Sequence, residues 1–287
     1  MLDLILSVLC STLILVIFKL YDTYGIQTLY AIIVNYLVAC CTGLFFYKGP
    51  TALSALFGKD WIWGTLALGV LFISIFNVIA KTSQIAGVSV ASVATKMSLV
   101  IPVIFGVFLY QERLSAIQVL GIFLALGAVY FTAVKAGPRT LGWRTLLLPL
   151  LAFLGSGLID AFIKYFEEVH LTDDELPLFS AIVFAAAAAT GLFFILGNSL
   201  KKPLKLNLRN VLGGIALGIP NYFSIFFLLR ALQNERWASA SIFTLNNVAI
   251  VMLSTLVGVL LFREGMSVKN WFGIGLAVIS IVLVALF

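Results

Sequence analysis

The sequence predicts an all-α integral membrane protein with ten transmembrane helices arranged as two inverted five-helix repeats. Three observations support this fold class. The 287 residues are 62% hydrophobic and 10% charged, whereas an ordinary soluble domain carries about 25% charged residues. Ten apolar stretches are long enough to cross a bilayer, which takes roughly 20 residues. Finally, one motif near the middle of the chain recurs near its end.

Short connections join the ten predicted spans, and none is long enough to form a separate extramembrane domain. The spans cover approximately residues 2–20, 28–47, 61–81, 88–110, 116–135, 145–166, 175–197, 210–232, 237–262 and 270–287. The start, Met1-Leu2-Asp3, passes directly into the first span. Because it has no basic leader and no small-residue cleavage site, we expect no cleavable signal peptide.

The recurring motif occupies residues 107–127 and 259–279, which begin 152 positions apart (259 minus 107). In each copy an apolar helix ends at an aromatic residue, and a glutamate, a serine and a glycine follow before the next apolar helix. These signature residues are Glu112, Ser115 and Gly121 in the first copy and Glu264, Ser267 and Gly273 in the second. The chain therefore contains a duplicated membrane unit.

The duplication extends over both halves, because segment 42–46 recurs as 190–194 and segment 67–69 recurs as 216–218. The predicted units are a first repeat over residues 1–135, a linker over 136–144 and a second repeat over 145–287. Five is an odd number of spans, so the second repeat has to enter the membrane from the opposite side. Inverted repeats of this kind let two halves rock about a site near the bilayer midplane.

The two glutamate-centred signatures, the five-plus-five span count and the length resemble the EamA-type transporters of the drug/metabolite transporter superfamily. The resemblance covers essentially the whole chain. It implies a multi-pass carrier, in a bacterial inner membrane, for small metabolites, amino acids or drugs. It also implies alternating access around a central site, without a cofactor and without enzymatic activity. Neither the substrate nor the direction of transport is fixed by it.

The signature residues have a structural interpretation. Ser115 and Gln118 have the S-x-x-Q spacing of a capping box, in which each side chain binds a free N–H group at a helix start. Glu112 and Glu264 each lie in a turn before an apolar helix, where a carboxylate can accept backbone N–H bonds and complement the helix dipole. Proton coupling is the alternative role for these two glutamates.

Lys96 is the leading candidate for a functional side chain. An ionisable group within lipid is costly and by default marks a function or a pair. Lys96 lies eight residues into the fourth span, about 12 Å along the helix axis. Hydroxyl residues surround it, and Pro102 follows as a helix breaker that frees a carbonyl. The alternative is a buried Lys96 neutralised by a carboxylate such as Asp160.

Several amides and one aromatic residue complete the predicted substrate site. Gly218 and Pro220 predict a break in the eighth span beside Asn221 and Tyr222, and broken helices at membrane depth line protein or wet cavities. Asn35, Asn77, Asn246 and Asn247 are further amides within the predicted spans. Hydrogen bonding between helices is the alternative role for these asparagines.

Lys19 and Lys164 occupy equivalent places near the ends of spans one and six. Both can extend to the membrane surface, or contact a substrate at opposite mouths of the pathway. Asp160 and Lys164 are spaced i, i+4 and are expected to face the same way, so this pair is the candidate for coupling, with protons as the candidate ion. The excess of deep cations favours an anionic or zwitterionic metabolite.

Other classes of function lack support in the sequence. The single histidine, His170, lies in an acidic loop, no metal-ligand spacing occurs, and no nucleic-acid-binding pattern is present. The net charge of +6 suits contact with anionic lipid headgroups. A multidrug exporter of lipophilic cations and a lipid-handling membrane protein are the competing functions. Orientation stays open, because the positive-inside rule puts both termini outside and the family usually has them inside. A monomer and a homodimer are equally compatible.

Overall fold

The computed structural model describes residues 2–47, 58–59, 61–109, 115–133, 143–170, 176–199, 207–232 and 239–286. Eleven α-helices make up nearly all of these residues. They are α1 (Leu2–Thr23), α2 (Thr28–Phe46), α3 (Ile62–Ile85), α4 (Val88–Met97), α5 (Val100–Leu109), α6 (Ala116–Ala133), α7 (Trp143–His170), α8 (Leu176–Ser199), α9 (Leu208–Leu232), α10 (Ser239–Phe262) and α11 (Val268–Leu286).

The helices have the length and composition of a multi-pass membrane protein. Within the described part of the chain, eight stretches are long and apolar enough to cross a membrane, and α4 and α5 together form one of them, Val88–Gly106. α6 and α11 supply two shorter apolar helices, Ala116–Thr132 and Val268–Val284. These ten stretches correspond to the ten predicted spans, and their ends agree to within about four residues except at the start of the ninth, which is Leu245 where residue 237 was predicted. The predicted all-helical class is confirmed.

The outer surface is apolar, as contact with lipid requires. Phe45 is 81% exposed, Trp63 76% and Phe193 76%. A soluble monomer rarely presents large apolar patches to water. In a bilayer the same faces are surrounded by hydrocarbon chains and cost nothing.

The fourth span is interrupted near its middle, just before the helix breaker Pro102. α4 ends at Met97 and α5 begins at Val100. Pro102 has no N–H to donate to the carbonyl four residues earlier. That carbonyl, of Ser98, accepts the Ile101 N–H instead, at 2.9 Å, and the Ser98 hydroxyl donates to Thr95 O. The carbonyl freed by Pro102 is therefore hydrogen-bonded within the fourth span.

The predicted break in the eighth span is wrong. α9 runs as one helix from Leu208 to Leu232 with Pro220 inside it. Close packing against α2 explains why the helix persists. A Cβ placed on Gly218 would lie 2.7 Å from Val38 Cβ and 2.9 Å from Asn35 O, so the two backbones are nearly in contact. Such small-residue packing supports a helix that contains proline in lipid.

α4 is the central helix of the bundle. It packs against α1, α3, α6, α7, α10 and α11. Of its ten residues, all except Thr95 and Lys96 are buried. A polar side chain on α4 is therefore held inside the protein, away from lipid.

α6 and α11 pack side by side in opposite directions. A Cβ on Gly121, near the start of α6, would lie 2.7 Å from Val284 Cγ2, near the end of α11. Reciprocally, a Cβ on Gly273, near the start of α11, would lie 2.8 Å from the Thr132 N atom, near the end of α6. Ser280 Oγ also donates to Gly121 O at 2.7 Å. Both signature glycines thus allow close approach of the two helices.

Candidate functional site

Asp160 lies on the side of α7 that faces away from its outer apolar residues. The lipid-facing side of α7 includes Leu150, Leu154 and Phe162, which are 44%, 48% and 44% exposed. At 3.6 residues per turn, Asp160 lies on the opposite side of the helix. The Asp160 side chain is surrounded by protein. It is nevertheless exposed. An exposed carboxylate on an inward face requires a cavity in front of it.

Lys96 faces the same region from α4. It lies in the last turn of α4, just before the break in the fourth span, and is half-buried. The Lys96 ammonium and the Asp160 carboxylate attract each other, and Ser98 Oγ lies 3.5 Å from Asp160 Oδ2. The break therefore brings a cation, an anion and a hydroxyl together near the middle of the fourth span.

A polar stripe leads from this point to the start of α4. Ser89, Ser92 and Lys96 are spaced i, i+3 and i+7, which places them on one face of the helix. Ser92 Oγ is buried and has no hydrogen-bond partner among the described residues. Ser89 Oγ is bound to Glu264 Oε2 at 2.9 Å. A buried hydroxyl without a partner usually indicates an unseen water or ligand.

The two asparagines of the ninth span lie on α10, which packs directly against α4. Asn246 is 2% exposed, and within the described part of the chain its Oδ1 accepts no hydrogen bond. Asn247 is half-buried. That they share one cavity with Lys96 stays a prediction, and the unused acceptor of Asn246 is a feature that a substrate or water would satisfy.

Asn35 and Asn221 form a buried pair between α2 and α9. Asn221 Nδ2 donates to Asn35 Oδ1 at 3.2 Å, and the two residues are 0% and 4% exposed. Asn77 donates from Nδ2 to Ile73 O within α3 at 2.7 Å. All three amides thus make hydrogen bonds within the protein, of which Asn35–Asn221 joins two helices.

Tyr222 belongs to an aromatic groove between α2, α8 and α9. Its ring stacks on Phe46 and Phe226, with centroids 5.9 and 6.0 Å apart. Together with Gly43 and Phe184 these rings line a cavity of about 130 Å³. Because α4 is not among the helices that form this groove, Tyr222 lies apart from Lys96.

Lys19 lies beside a second cavity, of about 310 Å³, at the ends of α1, α3, α6 and α10. Its Nζ donates to Gln84 O at 2.7 Å. Glu264, Thr132 and Asn270 also line this space, so it contains both charges. Lys164 belongs to α7, and its side chain lies outside the described residues.

The signature serines cap their helices. Ser115 N donates to Gln118 Oε1 at 2.9 Å and Gln118 N to Ser115 Oγ at 3.1 Å, which is the reciprocal capping box. The second copy has the same device, with Ser267 N bound to Asn270 Oδ1 at 2.8 Å and Asn270 N bound to Ser267 Oγ at 3.2 Å. Sequence analysis missed the second box, although a hydrogen-bonding residue three positions after the serine could have revealed it.

Glu264 binds the start of α4, in the other half of the chain. Its Oε1 accepts the Val88 N–H at 2.6 Å, and its Oε2 accepts the Ser89 hydroxyl at 2.9 Å and the Ser89 N–H at 3.4 Å. The sequence predicted that Glu264 binds backbone N–H groups, but it did not predict that these groups belong to α4. Glu112 lies outside the described residues.

The comparisons with known proteins establish a relative and a shared fold. No protein-family model matches the chain. An uncharacterized protein of Haemophilus influenzae is 28% identical over 280 residues, which cover 95% of this chain and 93% of the relative. A protein of known crystal structure is 16% identical, with a TM-score of 0.59 and 98% of both chains covered. That likeness shows a common fold along the whole chain.

No group of three or more His, Cys, Asp or Glu side chains is placed to hold a metal ion in the part of the chain that the structure describes. The polar groups gathered at the break of the fourth span are donors and acceptors suited to binding a small polar molecule.

Proposed function

We propose that this chain is a secondary transporter of the EamA type, in the drug/metabolite transporter superfamily. It moves a small polar metabolite across the membrane by alternating access. The observation that carries the proposal is Asp160, an exposed carboxylate on the inward face of α7 beside Lys96 and the broken fourth span. Ionisable groups of this kind within a membrane mark substrate or ion pathways.

Contacts between α2 and α9 support the inverted repeat, because they recur between α8 and α3. Gly218 meets Val38, and Gly69 meets Ala186. Gly218 and Gly69 are 149 positions apart (218 minus 69), and Ala186 and Val38 are 148 apart (186 minus 38). These are the same offsets that relate the repeated sequence segments. Exchanging the two halves therefore reproduces the contact.

A second glycine contact behaves in the same way. A Cβ on Gly43 would meet Ala181 and Tyr222, and a Cβ on Gly191 would meet Ile33 and Ile73. The offsets from each residue of the first half to its counterpart are 148 (191 minus 43), 148 (181 minus 33) and 149 (222 minus 73).

Exchanging the two halves also maps the pairing of α6 with α11 onto itself. The contact of Gly121 with α11 then corresponds to the contact of Gly273 with α6. These helices are equivalent in the two halves yet run in opposite directions, which is the relation that inversion requires. Residues 1–135 and 145–287 then form two units that move against each other around the central charges.

The charges at the centre favour a zwitterionic metabolite. Lys96 and Asp160 offer one cation and one anion to the same space, and an unpaired charge within a protein is costly. A substrate with a carboxylate and an ammonium group satisfies both, whereas an anion satisfies Lys96 alone. A lipophilic cation leaves Lys96 uncompensated. Coupling to protons, with Asp160 as the group that takes the proton, belongs to the same proposal.

Transport by purified protein in proteoliposomes tests this function. The panel contains radiolabelled neutral amino acids, carboxylates and tetraethylammonium. We expect uptake of a zwitterion, and about a tenfold or larger loss for Lys96→Met or Asp160→Asn, since a hydrogen bond to a charged group contributes roughly 1.5–3 kcal/mol.

Lys81→Met and Asp3→Asn are matched controls, because Lys81 is exposed and Asp3 forms an ion pair with the exposed Arg230, at 3.7 Å. Their uptake should remain near that of the unchanged protein. Preferred uptake of tetraethylammonium, or equal uptake by all four variants, would contradict the proposal.

A further inference from the structure

The carboxylate of Glu264 is held in a site built for it. Three hydrogen bonds join it to Val88 and Ser89, at 2.6, 2.9 and 3.4 Å. The three donors form the first turn of α4, whose free N–H groups favour a negative charge. The bond connects the turn after α10, in the second half of the chain, with the central helix of the first half.

Two glycines make room for this carboxylate. A Cβ on Gly258 would lie 2.6 Å from Glu264 Oε2 and 2.8 Å from Ser89 Oγ. A Cβ on Gly87 would lie 2.8 Å from the same carboxylate. Gly87 also has a φ of 118°, a backbone conformation that side chains other than glycine rarely adopt. Any larger residue at either place would push Glu264 away from α4.

The turn that carries Glu264 is fixed by its own contacts. Arg263 has a φ of 51°, which reverses the chain after α10, and the Glu264 N–H donates to Gly258 O at 3.0 Å. On the other side, Asn270 Nδ2 donates to Phe131 O and Thr132 O at 3.1 and 3.0 Å. These bonds hold the turn against α6, α10 and α11, and Glu264 adds a hydrogen-bonded contact with the start of α4.

The position of this connection relates it to the central site. Ser89, which binds Glu264, is the first residue of the polar stripe that continues through Ser92 to Lys96. The cavity beside Lys19 lies directly against this connection, because Glu264, Gly87 and Val90 are among its lining residues. Lys96 lies about two helical turns further along α4 than Ser89.

We propose that Glu264 is a latch that closes this end of the transport pathway by binding the first turn of α4. The latch rests on the proposed transport function. In alternating access the two halves separate at one end and then at the other, so a bond between the halves at one end has to break whenever that end opens. Glu264 makes such a bond, and Lys19 is the cation that faces the opening beside it.

Side-specific thiol labelling tests the latch without any substrate. Cys10, Cys40 and Cys41 are the three cysteines of the chain and are replaced by alanine, after which Ser92→Cys supplies a buried reporter on the polar stripe. A membrane-impermeant methanethiosulfonate is added from the side of the 263–267 turn. We expect Glu264→Ala to raise the labelling rate about tenfold, the factor that corresponds to losing one helix-capping contact.

Gly258→Ala breaks the same contact without removing the carboxylate, and it should raise the labelling rate in the same direction. Gly265→Ala is the matched control, because a Cβ there meets nothing within 4 Å, and it should leave the rate unchanged. Thermal unfolding of each variant in detergent shows that the fold is intact. Labelling from the opposite side should fall or stay constant in the two latch variants, which separates gating from general loosening.

Equal labelling rates in Glu264→Ala, Gly258→Ala and Gly265→Ala would overturn the latch even if the protein transports metabolites. Faster labelling from both sides would overturn it as well. Faster labelling from one side in a protein that transports nothing would support the latch and count against the proposed substrate function alone.

Discussion

Replacing Gly69 or Gly218 by alanine is expected to destabilise the protein, whereas the same change at Gly275 is expected to stabilise it. A Cβ on Gly69 would lie 2.7 Å from Ala186 Cβ and from the Ala187 N atom. Ordinary carbon contacts are about 3.5–4.0 Å, so α3 and α8 would have to separate by about 1 Å. At Gly275 a Cβ would meet nothing within 4 Å.

The net effect follows from two opposing contributions. Alanine stabilises a helix by roughly 0.5–1 kcal/mol relative to glycine, while overpacking typically costs 1–3 kcal/mol. Gly69→Ala should therefore lower the free energy of unfolding by up to about 2.5 kcal/mol. Gly218→Ala should do the same, because its contact with α2 is the counterpart of the Gly69 contact. Gly275→Ala should raise the free energy by about 0.5–1 kcal/mol, since only the helix contribution applies.

Thermal unfolding in detergent, followed by size-exclusion chromatography of the soluble fraction, measures the signs. We expect the two packed-glycine variants to melt a few degrees lower than the unchanged protein and Gly275→Ala to melt slightly higher. Three shifts of the same sign would show that close helix packing at Gly69 and Gly218 does not decide stability. Unequal shifts at Gly69 and Gly218 would count against the equivalence of the two halves.

Two further predictions concern polar contacts. Asn35→Leu and Asn221→Leu should each destabilise the fold by about 1–3 kcal/mol, because each leaves the partner's buried amide unpaired, and the double variant should recover much of this loss. A double-mutant cycle of melting temperatures measures the coupling between the two residues, and additive losses would refute that coupling. Ser267→Ala should cost about 1 kcal/mol by removing the capping box of α11, as should Ser115→Ala for α6, and a melting temperature equal to that of the unchanged protein would contradict this role.

The helices could be predicted from the sequence because the membrane demands long apolar runs. The capping box of Ser115 and Gln118 was equally accessible, since its two members are three residues apart. Pro102 and Pro220 show where local reasoning stops. Both remove a helix hydrogen bond, but Pro220 follows Gly218, whose contact with Val38 on α2 keeps α9 continuous. That contact joins residues 180 positions apart (218 minus 38) and leaves no local signal.

The candidate site was only partly accessible for the same reason. The depth of Lys96 and Asp160 could be predicted from their positions within apolar stretches. Pairing with Asp160 was the alternative to a functional role for Lys96. The contact between Asn35 and Asn221 spans 186 positions, and that between Glu264 and Val88 spans 176. Residue type alone does not indicate whether such an amide or carboxylate contacts a substrate or another helix.

The reciprocal packing of α6 and α11 has a consequence for biosynthesis. Their starts, Ala116 and Val268, are 152 residues apart (268 minus 116), and ribosomes add about 5–20 residues per second. During synthesis α6 therefore waits roughly 8–30 s in the membrane before its partner is made. Throughout that time the Gly121 surface faces lipid, an insertion factor or another nascent chain, so α11 completes an interface that α6 begins.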